Sequence, residues 1–200
     1  MKKRIILGSG SPRRKELLEQ IGVNFEVRVS EKEEQYKSVV PEEIVKELSL
    51  MKAENVAEEM VSDKENGGQL RNMAVIGADT IVALDDEILG KPRDEEDAAH
   101  MLTRLQGREH YVYTGVAVLD FDAHGKKNVI SYSVGTKVYV NEMTEEEIRA
   151  YIATGEPADK AGAYGIQGGF AAYIGRIDGD YYNVVGLPVS RVYRTLREIV

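Results

Sequence analysis

Three cations crowd the stretch Ser9-Gly10-Ser11-Pro12-Arg13-Arg14-Lys15. Pro12 suits the first position of a helix and Ser11 its N-cap, so the cations fall in a first turn. The helix macrodipole already concentrates positive charge there, and each cation costs about a few tenths of a kcal/mol unless an anion sits nearby. Free N–H groups, the hydroxyls of Ser9 and Ser11 and the flexible Gly10 together make a cradle for such an anion. Ser9, Ser11, Arg13 and Arg14 are therefore candidate phosphate ligands. The alternative leaves Arg14 and Lys15 in solvent, or paired with Glu19 one turn on. The stretch is neither a Walker P-loop, lacking Gly-Lys-Ser/Thr, nor a dinucleotide fingerprint, lacking the third glycine.

A second signal is Val75-Ile76-Gly77-Ala78-Asp79-Thr80-Ile81-Val82, where a carboxylate interrupts an apolar run with strand character. Burying that charge without a cation, a metal ion or a proton is expensive, which makes Asp79 a candidate for chemistry. The alternative is a local kink that points Asp79 at water. Gly90-Lys91-Pro92 presents Lys91 on a stiffened loop. Lys52 borders an apolar helical stripe through Leu48 and Val56, a place where most lysines only snorkel. Glu33 and Glu34 sit in a charge-rich stretch whose plain reading is solvation. Asp159-Lys160 is followed by Ala163-Tyr164-Gly165-Ile166-Gln167-Gly168-Gly169, whose glycines let a backbone approach a ligand. Gln167 offers both a donor and an acceptor to a base edge. A plain mobile loop is the competing reading.

The elements that must carry these residues can be read from periodicity and punctuation. Arg4 to Gly8 predicts a short buried strand, followed by a helix from Pro12 that Gly22 ends. Phe25 to Val29 alternates like a strand. A second helix, Pro41 to Met60, carries Ile44, Val45, Leu48, Met51 and Val56 on one face. Ser62 to Asn72 reads as a solvated loop, Met73 to Leu84 as a strand, and Asp85-Asp86 as a turn. Asp94 caps a helix to Leu105 that Gly107 closes. His110 to Val140 gives two long strands joined at Asp122 to Gly125. Thr144 to Glu147 is a capping box opening a helix that Gly155 ends. The glycine-rich segment then precedes a hairpin turning at Asp178-Gly179-Asp180, and a last helix starts at Pro188. Interleaved strands and helices of this kind predict an α/β or α+β fold around a mixed sheet.

Composition narrows the partners. A chain of 200 residues, 42% hydrophobic and 30% charged, with a formal net charge of −8, describes one globular domain or two small lobes sharing a core. That charge argues against a nucleic-acid or anionic-membrane binder, while leaving room for a small basic pocket. No cysteine is present, so disulfides, a thiol nucleophile and a thiolate zinc site are excluded. His100, His110 and His124 lack the spacing of a metal cage. No run approaches the ~20 apolar residues of a membrane span, and the cytoplasm is the expected location.

Several of these patches, taken in order, resemble the Maf family of nucleotide pyrophosphatases. The resemblance rests on Ser9 to Arg14, Gly77 to Thr80, Gly90 to Pro92, Asp159 to Gly168 and Val185 to Pro188, and it runs essentially end to end. It implies an α/β fold like that of the inosine triphosphate pyrophosphatases, with a long mixed twisted sheet, flanking helices, two lobes around a cleft, and commonly a homodimer. Family members preferring dTTP and UTP look like this chain in carrying Arg13, Thr80 and Gln167, where 7-methyl-GTP enzymes carry Trp, Gln and Glu. By the same resemblance Asp79 is the proton acceptor. Glu34 joins it in holding Mg²⁺ or Mn²⁺, an ion that would acidify the attacking water and offset the low basicity of an ordinary aspartate. Arg13, Arg14, Lys52 and Lys91 would neutralise the triphosphate, with Ser9 and Ser11 among its phosphate ligands. Rival readings are a non-catalytic nucleotide-binding regulator of septum formation and a phosphotransferase; the latter lacks both a Walker motif and a Cys or His nucleophile.

Overall fold

A computed structural model describes residues 3–62, 69–85 and 87–200. The elements run, in chain order, β1 (Arg4–Leu7), α1 (Pro12–Gln20), β2 (Glu26–Val27), α2 (Pro41–Ser62), β3 (Met73–Leu84), β4 (Glu87–Leu89) and α3 (Glu95–Leu105). Then follow β5 (Glu109–Phe121), β6 (Lys127–Val140), α4 (Glu145–Ile152), β7 (Ile174–Asp178), α5 (Tyr181–Val185) and α6 (Val189–Ile199). Seven strands form one mixed sheet in the order β2-β1-β3-β5-β6-β7, with β4 paired to β3. β1 is parallel to β2 and β3, whereas β4 and β7 run antiparallel to their neighbours. The chain is thus α/β with a mixed sheet, as expected.

Contacts divide the chain into two compact units, Met1–Asp79 with Thr114–Val134 and Gly186–Val200, and Thr80–Tyr113 with Gly135–Val185. In the first unit, Ile6, Val75, Ala117 and Leu119 of the sheet pack on Ala53, Val56, Ala57 and Met60 of α2. The approach is closer than side chains would allow. A Cβ on Gly77 would stand 2.1 Å from the Ser49 carbonyl, and one on Gly115 2.0 Å from that of Val45. Glycine at these two strand positions lets the helix backbone rest directly on the sheet backbone.

The second unit is held differently. Asp94 accepts from the Asp97 N–H to start α3, and Thr144 and Glu147 form the expected capping box on α4. Gly107 and Gly155 close these helices with φ of 65° and 74°. Beyond α4 the chain makes short 3-10 turns at Glu156–Asp159, Ala161–Ala163 and Gly169–Tyr173, built around a fully buried Phe170.

The structure corrects two expectations here. The Asp178-Gly179-Asp180 turn does not make a hairpin. Among the described residues β7 pairs with β6 alone, and the Asp180 carboxylate accepts from the Tyr182 and Asn183 N–H groups, starting α5. The strand expected over Phe25 to Val29 is limited to the exposed Glu26–Val27. Most of the Ser62 to Asn72 loop, together with Asp86, lies outside the described residues.

Candidate functional site

The first unit draws charged groups together from four segments distant in sequence. Asp79, on β3, has its side chain only 14% exposed, and its Oδ1 lies 2.5 Å from the Lys52 ammonium. The same ammonium lies 3.2 Å from Glu34 Oε2. Lys52 therefore does more than snorkel: it bridges two carboxylates. The backbone contact of α2 with Gly77 explains its reach, because Ser49 and Ala53 flank Lys52 on the helix and Gly77 is two residues from Asp79.

Glu34 is placed by a loop laid along the same helix. The Lys37 N–H donates to Glu47 at 2.8 Å, the Gln35 N–H to the Met51 sulfur at 3.4 Å, and the Lys32 ammonium to Glu58 at 2.7 Å. No single one of these exposed contacts is strong. Together they fix a stretch that composition alone marks as solvated, and they leave Glu34 facing Lys52.

Arg14 is buried, against the reading that left it in solvent. Its Nη1 donates to Ser9 Oγ at 3.0 Å and its Nε to the Gly186 carbonyl at 2.9 Å. Burial pulls the guanidinium below its usual range; the charges of Asp79 and Glu34 oppose that pull, and Arg13 adds to it. An arginine keeps its proton under such a shift. Arg14 thus ties the Ser9 loop to the Val185-to-Pro188 segment and lends positive charge to the carboxylates. Ser11 takes the N-cap position of α1, but its hydroxyl makes no capping bond. Instead the Ser11 N–H reaches Ser9 Oγ at 3.3 Å. Arg13 is half-buried, while Lys15 is exposed, 3.9 Å from Glu19, as the alternative reading had it. A pocket of about 90 Å³ opens beside this cluster, lined by Gly8, Ser9, Gly10, Glu34, Lys52 and Asn55 among others.

The second unit carries the remaining candidates. Thr80 is half-buried on β3, Lys91 is exposed after β4, and Gln167 is exposed within the glycine-rich segment. That segment is anchored. Tyr164, Ile166 and Phe170 are buried on either side of Gln167, and the Phe170 ring packs on those of Tyr151 and Tyr164 at 5.1 and 4.7 Å.

Among the described residues no three His, Cys, Asp or Glu side chains group as a cage. Asp79 and Glu34 nevertheless converge on one cation, and Mg²⁺ is typically held by one or two carboxylates with substrate phosphates and water completing its shell. The donor set therefore fits an ion whose coordination the substrate finishes.

Residues 4–199 match the family model described as Maf-like protein. The chain belongs to the Maf family. Among Maf relatives, a protein of Agathobacter rectalis named dTTP/UTP pyrophosphatase is 50% identical, covering 98% of this chain and 97% of its own. One of the same name from Lachnoclostridium phytofermentans is 48% identical, covering 97% and 94%. A nucleoside-triphosphatase / dITP/XTP pyrophosphatase of Mycobacterium abscessus aligns over 97% of this chain and 93% of its own. Its TM-score is 0.40 and its identity 15%.

Sequence reasoning found Asp79, Lys52, Glu34, Ser9 and Arg14 but did not see how they meet. Gly186 was visible only within the Val185-to-Pro188 motif and Met51 only on the apolar face of the second helix, with no contact foreseen for either, and Glu47 was not singled out. Contacts such as Arg14 with Gly186, 172 residues apart, leave no local trace.

Proposed function

We propose that this protein hydrolyses dTTP and UTP, and modified pyrimidine triphosphates of the same shape, to the monophosphate and pyrophosphate. The observation that carries the reading is the half-buried Asp79 carboxylate, held on the Lys52 ammonium beside Glu34, with buried Arg14 and the Ser9 loop adjoining. A protein that only bound a triphosphate would gain little from two anions beside it. An enzyme that must accept a proton there needs one. The names of the closely similar Maf relatives support the same reaction.

In this mechanism water attacks the α-phosphorus in line, and the bond from that phosphorus to the oxygen bridging to the β-phosphate breaks. Asp79 accepts the proton of the attacking water. Lys52 fixes the carboxylate's orientation and, with Arg13 and Arg14, offsets the negative charge gathering on the departing pyrophosphate, a part that the family resemblance also gives Lys91. The hydroxyls of Ser9 and Ser11 and the N–H groups of the Gly10 turn orient phosphate oxygens. Glu34 and Asp79 would hold a Mg²⁺ or Mn²⁺ ion, which supplies Lewis acidity at the phosphate and the water when bound. The family resemblance supports a part for each of Thr80, Gln167 and Arg13 in selecting the pyrimidine. An acidic protein can take a polyanion in this way because its cations gather locally while its net charge of −8 is spread along the chain.

The reading extends to a homodimer in the cytoplasm. The resemblance supports the dimer, and the lack of any described helix long and apolar enough to cross a membrane is consistent with the location. A solution mass of a single 22.3 kDa chain would sink the dimer.

The test of the reaction is a product assay on a panel of nucleoside triphosphates with Mg²⁺ and then Mn²⁺, separating pyrophosphate from orthophosphate. Pyrophosphate from dTTP and UTP, with little from GTP or 7-methyl-GTP, is the expected result. Binding without turnover of any of them would overturn the enzymatic reading.

A further inference from the structure

Gln167 stands at the centre of a five-residue backbone span that one carboxylate and one phenol hold from below. The Gly165 N–H donates to Tyr151 Oη at 3.2 Å, and the Gly169 N–H donates to Glu156 Oε2 at 3.0 Å. Tyr151 Oη in turn donates to Glu156 Oε1 at 3.0 Å, joining the two supports. The held amides lie two residues before and two residues after Gln167. The Lys160 ammonium steadies the Glu156 support itself, donating to the Glu156 carbonyl at 2.6 Å and to Asp159 Oδ1 at 2.7 Å.

The glycines of the segment follow from this arrangement. A Cβ on Gly168 would stand 1.9 Å from Glu156 Oε1, and one on Gly165 2.7 Å from Lys160 Cε. The side chains of Glu156 and Lys160 therefore occupy the space that a residue other than glycine would need at 168 and 165. Tyr151 is itself buried, with its ring against that of Phe170, so the phenol is a fixed post. Burial and the neighbouring Glu156 both push its ionisation well above the usual phenol range, which keeps the hydroxyl a donor at all working pH values.

We propose that Tyr151 and Glu156 are positioning residues for nucleobase selectivity, holding the Gly165–Gly169 backbone so that Gln167 meets the base in one orientation. This rests on the reading of Gln167 as a base-recognising residue. Neither side chain touches substrate; both act through the loop. A hydrogen-bonding side chain discriminates between bases only if its donor and acceptor are held in place, and otherwise it pairs with water or with the wrong edge.

The test is a mutant cycle on Tyr151→Phe and Gln167→Ala, reading the ratio of kcat/KM for dTTP to that for GTP together with kcat on dTTP. Tyr151→Phe keeps the ring on Phe170 and removes the hydroxyl that joins Gly165 to Glu156. The expected result is a fall of about tenfold in the dTTP preference, carried mainly by KM, and no further fall when Tyr151→Phe is added to Gln167→Ala. Glu156→Gln should act in the same direction, because an amide cannot accept on both sides as the carboxylate does. Hydrogen exchange at amides 165 and 169 should quicken in both clamp variants. An unchanged dTTP preference in both clamp variants would overturn the proposal, as would equal losses of kcat on every nucleotide or effects that simply add. A Gln167→Ala enzyme keeping its full dTTP preference would instead sink the reading of Gln167 itself, whatever the exchange rates show.

Discussion

The two units place functional side chains by opposite means. In the first, charges are brought in and matched to one another: Lys52 serves two carboxylates, and Arg14 is buried with its hydrogen bonds directed to Ser9 and Gly186. In the second, a phenol and a single carboxylate brace a glycine-rich backbone, and the buried titratable pair there, His110 with Tyr164 at 2.7 Å, is uncharged near pH 7. A charged cluster tolerates little loss, since removing Lys52 leaves the mostly buried Asp79 carboxylate uncompensated. A braced backbone can lose a support and yield by degrees.

The contrast should be sharpest at Asp79. Asp79→Asn preserves shape and removes the proton acceptor, so pyrophosphate release from dTTP should fall by about 10²–10⁴-fold in kcat. Near-normal turnover at saturating divalent metal would remove Asp79 from the chemistry and break the comparison at its centre. Lys52→Met comes next. It leaves Asp79 and Glu34 without their shared cation and should cost about 2 kcal/mol of stability in urea denaturation at pH 7. Adding Asp79→Asn to that variant should restore part of the loss. A Lys52→Met protein as stable as the parent would mean that the ammonium serves only the substrate.

The smallest effect near pH 7 belongs to the second unit. Burial pulls the His110 imidazole down to about 4, and its Nδ1 has no hydrogen-bond partner among the described residues. An unfolded chain takes up that proton near the ordinary value of about 6.5, whereas the folded one refuses it until well below. The contribution to stability is therefore complete above about pH 6.5 and lost as the pH falls toward 4, by at most about 1.4 kcal/mol per pH unit. Urea midpoints between pH 7 and 4 should flatten in His110→Gln. An identical slope in that variant would place the acid sensitivity elsewhere.

How far the sequence foretold this depends on the range of each interaction. Helix limits are local matters, and Pro12, Pro41, Asp94 and Thr144 announce their helices through ring geometry and capping chemistry. Asp79 was visible because a carboxylate in an apolar strand is locally anomalous. Its partner was not, since nothing in a lysine on the edge of a helical stripe tells which strand the helix will cover. Glu34 was conspicuous only through family resemblance, because the loop contacts that aim it, from Lys37 to Glu47 and from Gln35 to Met51, arise only when the chain has folded back on α2. The missed helix start at Asp180 has a different cause. Asp-Gly-Asp fits a tight turn and a helix cap equally well, and only the tertiary setting chooses between them.

The bare contact of α2 with Gly77 and Gly115 has a consequence for how this protein can change. Where elements meet through side chains, substitutions in the interior shift them by fractions of an ångström, and relatives drift apart accordingly. Here main-chain atoms are the bearing surface, so the spacing between Lys52 and Asp79 is gauged by peptide groups common to every sequence. The interior around it is free to vary in detail, while those two glycines are not.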